Sequence, residues 1–351
     1  MRTEYIITMD THCRTVDTCV KTAGGKLIRQ DHLSTGIPQL RELIESVPRP
    51  RRVIFEEGSM AGWLYRNLKG CAEEIMVCDP RRNAHVAKDG DKDDAIDAVK
   101  LNDLYRGGFL KPVYQQDSDE KAATKQMVGM YHDRVAHRVS EGNQLLALGK
   151  RWGVVLKRQA LLEDDVWKKL EIQLKEAGTP TQIMWIAGDL WRGFEQALEL
   201  EDKLHKQICR LVRSDKVMKR VTDIAGYGPV RAATLISCLD TPWRFKSKTA
   251  LWKYVGIGLK RQKSGDGIFY LGVEQACNRL LRSVVIGAAQ SAIDQKKNVF
   301  ARRYARWISQ GISKRNARRN VARDQVTAVW GMWKSDRPFN AELIHDPSEK
   351  Q

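Results

Sequence analysis

Over its first hundred or so residues the chain switches repeatedly between a two-residue and a 3.6-residue apolar period, which restricts it to few folds. Residues 4–10 read as a short strand ending on the carboxylate of Asp10. Residues 15–21 and 26–33 then flank Gly24-Gly25, a hairpin signal. Ile37, Leu40, Leu43, Ile44 and Val47 recur at helical spacing until Pro48 and Pro50 stop the helix. Residues 52–57 read as a second strand, again ending on carboxylates. A helix through Trp63, Leu64 and Leu68 follows, then a strand over residues 74–78. Past Asp79-Pro80 a charged loop leads into a helix carrying Ala95, Ile96, Ala98, Val99, Leu101 and Leu104. Strands with a hairpin, then helix, strand, helix, strand, helix, is the order of a mixed α/β sheet.

From residue 119 to 215 the chain reads as helical. Met127, Met130, Val135, Val139, Leu145 and Leu148 mark one long amphipathic segment; Leu190, Phe194, Leu198, Leu204, Ile208 and Leu211 mark another. Two such helices make either a coiled-coil arm or a helical bundle core. A third region opens with Ile224-Ala225-Gly226-Tyr227-Gly228-Pro229 and an Ala-rich helix start, which reads as a helix–hairpin–helix. There Gly226 and Gly228 would expose backbone N–H groups to a phosphate. Residues 301–334 carry nine basic side chains and one acid, Asp324, interleaved with Tyr304, Trp307, Trp330 and Trp333. That pattern suits tracking of a nucleic-acid backbone, with Trp330 and Trp333 read as core.

Charge divides the chain more sharply than periodicity does. The net charge is +17, from 60 Lys and Arg against 43 Asp and Glu. Residues 1–110 hold 17 basic and 17 acidic side chains, and residues 111–215 hold 17 and 16. Residues 216–334 hold 24 and only 6, a net +18. Solubility alone would not concentrate the excess in one third of the chain, so phosphate binding is expected there. The excluded classes follow quickly. No apolar run reaches the roughly 18 residues of a transmembrane helix. No basic start with an apolar core marks a signal peptide. The seven cysteines are scattered without a Cys-x-x-Cys pair, so they read as reduced thiols of a cytosolic protein.

The candidate chemistry lies in the acids. Asp10 and Glu57, or its neighbour Glu56, end strands; Asp94 and Asp97 are three apart and share one face of a helix. Like charges at that spacing need a compensating cation, and one or two Mg2+ ions are the natural choice. The other reading of these acids is a solvated loop and helix start. In the back third, the basic stretch Lys260-Arg261-Gln262-Lys263-Ser264-Gly265 reads as a Gly-flanked loop whose serine is a phosphate contact or a turn residue.

These pieces, in order and across some 300 residues, resemble the DEDD insertion-sequence transposases. Asp10, Glu57 (or Glu56) and Lys92-Asp93-Asp94-Ala95-Ile96-Asp97-Ala98 look like that family's acidic tetrad. Residues 224–229, Arg244-Phe245-Lys246-Ser247, Tyr254-Val255-Gly256, Ser264-Gly265 and Asn278-Arg279-Leu280-Leu281-Arg282 look like its C-terminal domain. The resemblance implies a ribonuclease-H/RuvC-like domain over residues 1–117, a helical coiled-coil spacer over 118–215, a mostly helical transposase domain over 216–334 and a tail over 335–351. It also implies that Ser264 is a nucleophile forming a phosphoserine link to DNA, in a composite site with the carboxylate-bound metal. Lys260, Arg261, Lys263, Arg279, Arg282, Arg302, Arg303, Arg306, Arg318 and Arg319 are the expected nucleic-acid contacts. The implied partners are target and donor DNA, a structured non-coding guide (bridge) RNA, and further copies of the chain as a dimer or tetramer. The expected location is the prokaryotic cytoplasm, at the nucleoid, with no membrane partner. Two rival readings are a junction-resolving metal nuclease using water, and a non-catalytic nucleic-acid scaffold.

Overall fold

The computed structural model describes residues 3–83, 94–264 and 267–344, without the side chains of 82–83, 94–95, 261–264 and 267–271. It divides into two compact units, Met1–Ala122 and Ala123–Gln351.

The first unit is built on a five-stranded sheet. Strands β1 (Tyr5–Thr11), β2 (Thr15–Thr22) and β3 (Leu27–Ser34) form an antiparallel meander. Helix α1 (Ile37–Ser46) leads to β4 (Arg51–Glu56), and α2 (Ala61–Leu68) leads to β5 (Glu74–Cys78). Both crossover strands run parallel to β1, giving the order β3-β2-β1-β4-β5. The short α3 (Pro80–Asn83) follows, and α4 (Asp94–Arg106) closes the unit. The central strands are buried on both faces. Ile7, Met9, Val53 and Phe55 pack under Leu40, Leu43 and Ile44 of α1 and Leu64 and Leu68 of α2. Ile6, Ile54 and Cys78 pack on the other face under Leu101 of α4. Buried polar groups tie α4 to β1: the Thr8 hydroxyl donates to Ala98 O at 2.7 Å, and Asn102 Nδ2 donates to Ile6 O at 3.1 Å.

The sequence expectation placed Glu57 at the end of a strand; β4 ends one residue earlier. Glu57 lies one residue past the strand, its N–H donating the last bond to β5 at Cys78 O, 2.9 Å, before the chain turns over residues 58–61.

Among its described residues the second unit is mainly helical, with one strand pair. Its long helices α5 (Asp119–Arg151) and α7 (Thr181–Ser214) are antiparallel, with Tyr131 beside His205, Arg138 bonded to Glu201 and Gly142 against Phe194. Between them α6 (Val166–Glu176) adds Leu170 and Leu174 to a small core with Leu145, Ala187 and Phe194. Val128, Ile208 and Val212, at the other end of the pair, belong to the main core of the unit.

That core is made by α8 (Lys216–Val221), α9 (Pro229–Leu239), α10 (Lys248–Tyr254), α11 (Arg279–Asp294), α12 (Val299–Ser309) and α13 (Lys314–Ser335). Most of these helices start on a cap that the sequence spells out. Asp215, Ser247, Asn278, Asn298 and Ser313 each accept a backbone N–H from the first turn of α8, α10, α11, α12 and α13. Tyr304, Trp307, Trp330 and Trp333 are half-buried against this core, and Trp330 Nε1 donates to Pro242 O at 2.7 Å.

The stretch around Ser264, read from sequence as a loop, is instead paired: β6 (Leu259–Ser264) runs antiparallel to β7 (Gly267–Val273). Among the described residues no helix is long and apolar enough to cross a membrane.

Candidate active site and nucleic-acid interface

Two of the front acids, Asp10 and Glu56, stand near the carboxyl ends of neighbouring parallel strands, where α/β sheets place ligands. Met9 of β1 pairs with Phe55 of β4, so the next step along the two strands brings Asp10 beside Glu56. Side chains alternate between faces. Met9 and Phe55 belong to the face under α1 and α2, so Asp10 and Glu56 belong with Ile6, Thr8 and Ile54 on the face covered by α4. Glu56 is also paired with Cys78, a core residue of that face. Helix α4 begins with Asp94, and Asp97 stands exposed in its first turn with Lys100 Nζ at 4.0 Å. The Thr8–Ala98 bond holds that turn two residues from Asp10. Asp10 Oδ2 lies 3.2 Å from His12 Nε2.

The fold thus brings Asp10, Glu56 and the start of α4 to one end of the sheet, and leaves Glu57 exposed beyond it. Among the described residues no three His, Cys, Asp or Glu side chains are close enough to hold one metal ion. The Asp94 side chain lies outside the described residues. Every carboxylate of the set is a hard oxygen donor, which fits magnesium or manganese and not a thiolate-seeking ion.

In the second unit Ser264 is the last residue of β6, directly opposite Gly267 of β7. The side chains of Arg261, Lys263 and Ser264 lie outside the described residues; Lys260 is exposed. The root of this hairpin is held by arginines. Arg282 donates Nε to Gly256 O at 2.9 Å and Nη2 to Glu274 O at 3.2 Å. Arg323 donates Nε and Nη2 to Ile257 O at 3.0 and 2.8 Å.

The basic residues expected to touch nucleic acid therefore divide by destination. Arg279 and Arg302 are exposed, and Arg306 is half-buried. Arg303 pairs with Asp324 at 2.7 Å, both largely shielded, and Arg318 donates to Gln290 at 3.0 Å. Burial pushes the Asp324 carboxyl up, partly offset by Arg303. Arg319 is half-buried; burial and then the neighbouring Arg323, Arg315 and Arg282 push its pKa down.

The two glycines also differ. Gly228 is exposed at the start of α9. Gly226 is buried at φ +89°, and a Cβ there would stand 2.1 Å from Ala288 O, so close packing on α11 accounts for it. Arg231, missed in the sequence reading, joins this turn to α11 by donating to Gly226 O and Ser291 Oγ at 2.8 Å each. The spacing of Arg315, Arg319 and Arg323 was a signal that a per-residue reading of the basic tract passed over.

Comparison with known proteins decides the family. Residues 7–150 match the DEDD transposase domain of the IS110 type, and residues 218–305 match the Transposase IS116/IS110/IS902 family. The chain belongs to this transposase family. It is similar to a Sinorhizobium fredii protein named as transposase y4pF/y4sB, with 23% identity over 69% of this chain. That match spans 62% of the relative's length, less than two thirds of it. A family 20 transposase of Pseudomonas aeruginosa is 23% identical over 81% of this chain and 82% of its own. The transposase for insertion sequence element IS1111A of Coxiella burnetii is 19% identical over 80% and 77%. Both matched descriptions are of transposases, and a DEDD-type domain implies dependence on a divalent metal.

Proposed function

We propose that this chain is the recombinase of a mobile insertion sequence, cutting and exchanging DNA strands. The observation that carries the reading is the strand register that sets Asp10 and Glu56 side by side under the helix beginning at Asp94. On this reading the first unit is RuvC-like, and Asp10, Glu56, Asp94 and Asp97 hold one or two Mg2+ ions, with Glu57 displaced from the set. Bound there, magnesium would offset charge on a phosphodiester.

Ser264 acts as the nucleophile. Its Oγ forms a bond to a DNA phosphorus as one P–O bond to deoxyribose breaks, leaving a phosphoserine and a free sugar hydroxyl. Attack by a sugar hydroxyl on that phosphoserine reforms the DNA and releases the serine. The basic second unit, with Gly228 at the mouth of a helix–hairpin–helix-like turn, holds nucleic acid, including a structured guide RNA from the same element. The antiparallel α5 and α7 supply a coiled-coil-like surface for assembling a dimer or tetramer.

A denaturing gel with end-labelled donor and target DNA tests the reading. The expected product is a covalent protein–DNA adduct, lost in Ser264→Ala and in Asp10→Asn. Free nicked ends that persist in Ser264→Ala would identify a water-using nuclease. Intact DNA throughout would identify a scaffold.

A further inference from the structure

Helix α13 places Arg315, Arg319 and Arg323 one turn apart, so they share one face. Like charges at that spacing disfavour a helix, and a compensating anion would relieve them. Arg323, the innermost, is committed to Ile257 O. Arg282 is committed to the preceding carbonyl, Gly256 O, so two guanidiniums sit on consecutive peptide groups just ahead of β6.

Arg319 lies within the field of both and of Arg315. Its own hydrogen bond is to Asn316 Oδ1 at 3.0 Å. Among the described residues no carboxylate forms an ion pair with any of the four arginines. The nearest acid in sequence, Asp324, is bonded to Arg303. The arrangement is a patch of cationic forks beside two clamped carbonyls, at the root of the hairpin that carries Ser264.

We propose that Arg315 and Arg319 form a seat for a backbone phosphate of nucleic acid, while Arg282 and Arg323 fix the β6–β7 hairpin to that seat. The inference rests on the reading that the second unit binds nucleic acid, and it adds where the backbone is gripped. A phosphodiester monoanion suits the site, because guanidinium forks offer paired N–H donors to phosphate oxygens. Strand position at the hairpin is thereby set by the same helix that holds the hairpin's base.

Counterion release tests it. The full-length protein is titrated with a mixed-sequence DNA duplex and, separately, with a single-stranded RNA across a range of salt concentrations. Each lost phosphate contact makes the slope of log K against log salt shallower by about 0.9 on duplex DNA and about 0.7 on a single strand. Arg315→Ala and Arg319→Ala should each show part of that change, the double variant the whole of it, and Arg319→Lys little of it. A shift on one probe alone identifies which nucleic acid supplies the phosphate. Lys168→Ala, in α6, should leave the slope unchanged. A purely structural role would weaken binding without altering the slope. Arg315 is exposed, so its variant keeps the test alive if Arg319→Ala misfolds. A steep parental slope unmoved by either alanine overturns the seat and spares the nucleic-acid reading. A flat parental slope overturns both.

Discussion

Glu56 and Glu57 are neighbours in sequence, yet the strand ends between them. The first closes a parallel strand beside Asp10; the second is exposed beyond it. Glu56→Gln is therefore expected to lower strand exchange on the order of a hundredfold or more, as lost metal-site groups do. Glu57→Gln should stay within a few-fold of the parent in the same assay. A stability prediction lies at His132. Burial holds its pKa below the ordinary 6.5, and its Nε2 lies 2.9 Å from Thr234 Oγ1. The unfolded chain then binds the proton more readily than the folded one. Stability is full above pH 6.5 and falls as the pH drops from there toward the lower folded-state value. Urea melts of the parent should show that loss, and His132→Gln should flatten it.

Among the elements, the turn before α9 makes the sharpest claim. Gly226→Ala combines a left-handed backbone with a Cβ driven into Ala288 O. Strain and overpacking together are expected to cost about 3 kcal/mol, read by chemical denaturation, whereas Gly228→Ala, in open space, should be close to neutral. Much of the first unit was legible because its periodicity alternates cleanly: Ile7 and Met9 against Ile6 and Thr8, and Leu40, Leu43 and Ile44 at helical steps. The face of Glu56 was not, because it turns on the residue at which β4 ends, and two adjacent glutamates look alike in a string. The β6 strand was also hidden, since Lys260-Arg261-Gln262-Lys263 has no apolar alternation to betray pairing. The arginines were the least legible. A guanidinium serves a buried carbonyl, as in Arg282 and Arg323, or a phosphate, and only the fold says which lies within reach.

The whole molecule is two compact units of very unequal charge, net zero over residues 1–110 and +18 over residues 216–334. Ligands should stabilise them separately. Thermal unfolding of the full chain is expected to resolve two transitions, with magnesium raising the one assigned to the first unit and chelation lowering it; Asp10→Asn should abolish that response. A magnesium effect of equal size in Asp10→Asn would mean that the cation acts elsewhere. The ties between α4 and β1 carry a further consequence. Thr8 to Ala98 and Asn102 to Ile6 fasten the helix bearing Asp94 and Asp97 to the strand bearing Asp10 through buried bonds. Oxygen donors on elements so fastened cannot spread to follow a larger ion. The proposed centre should therefore sort cations by radius, accepting magnesium and manganese and making calcium a poor substitute.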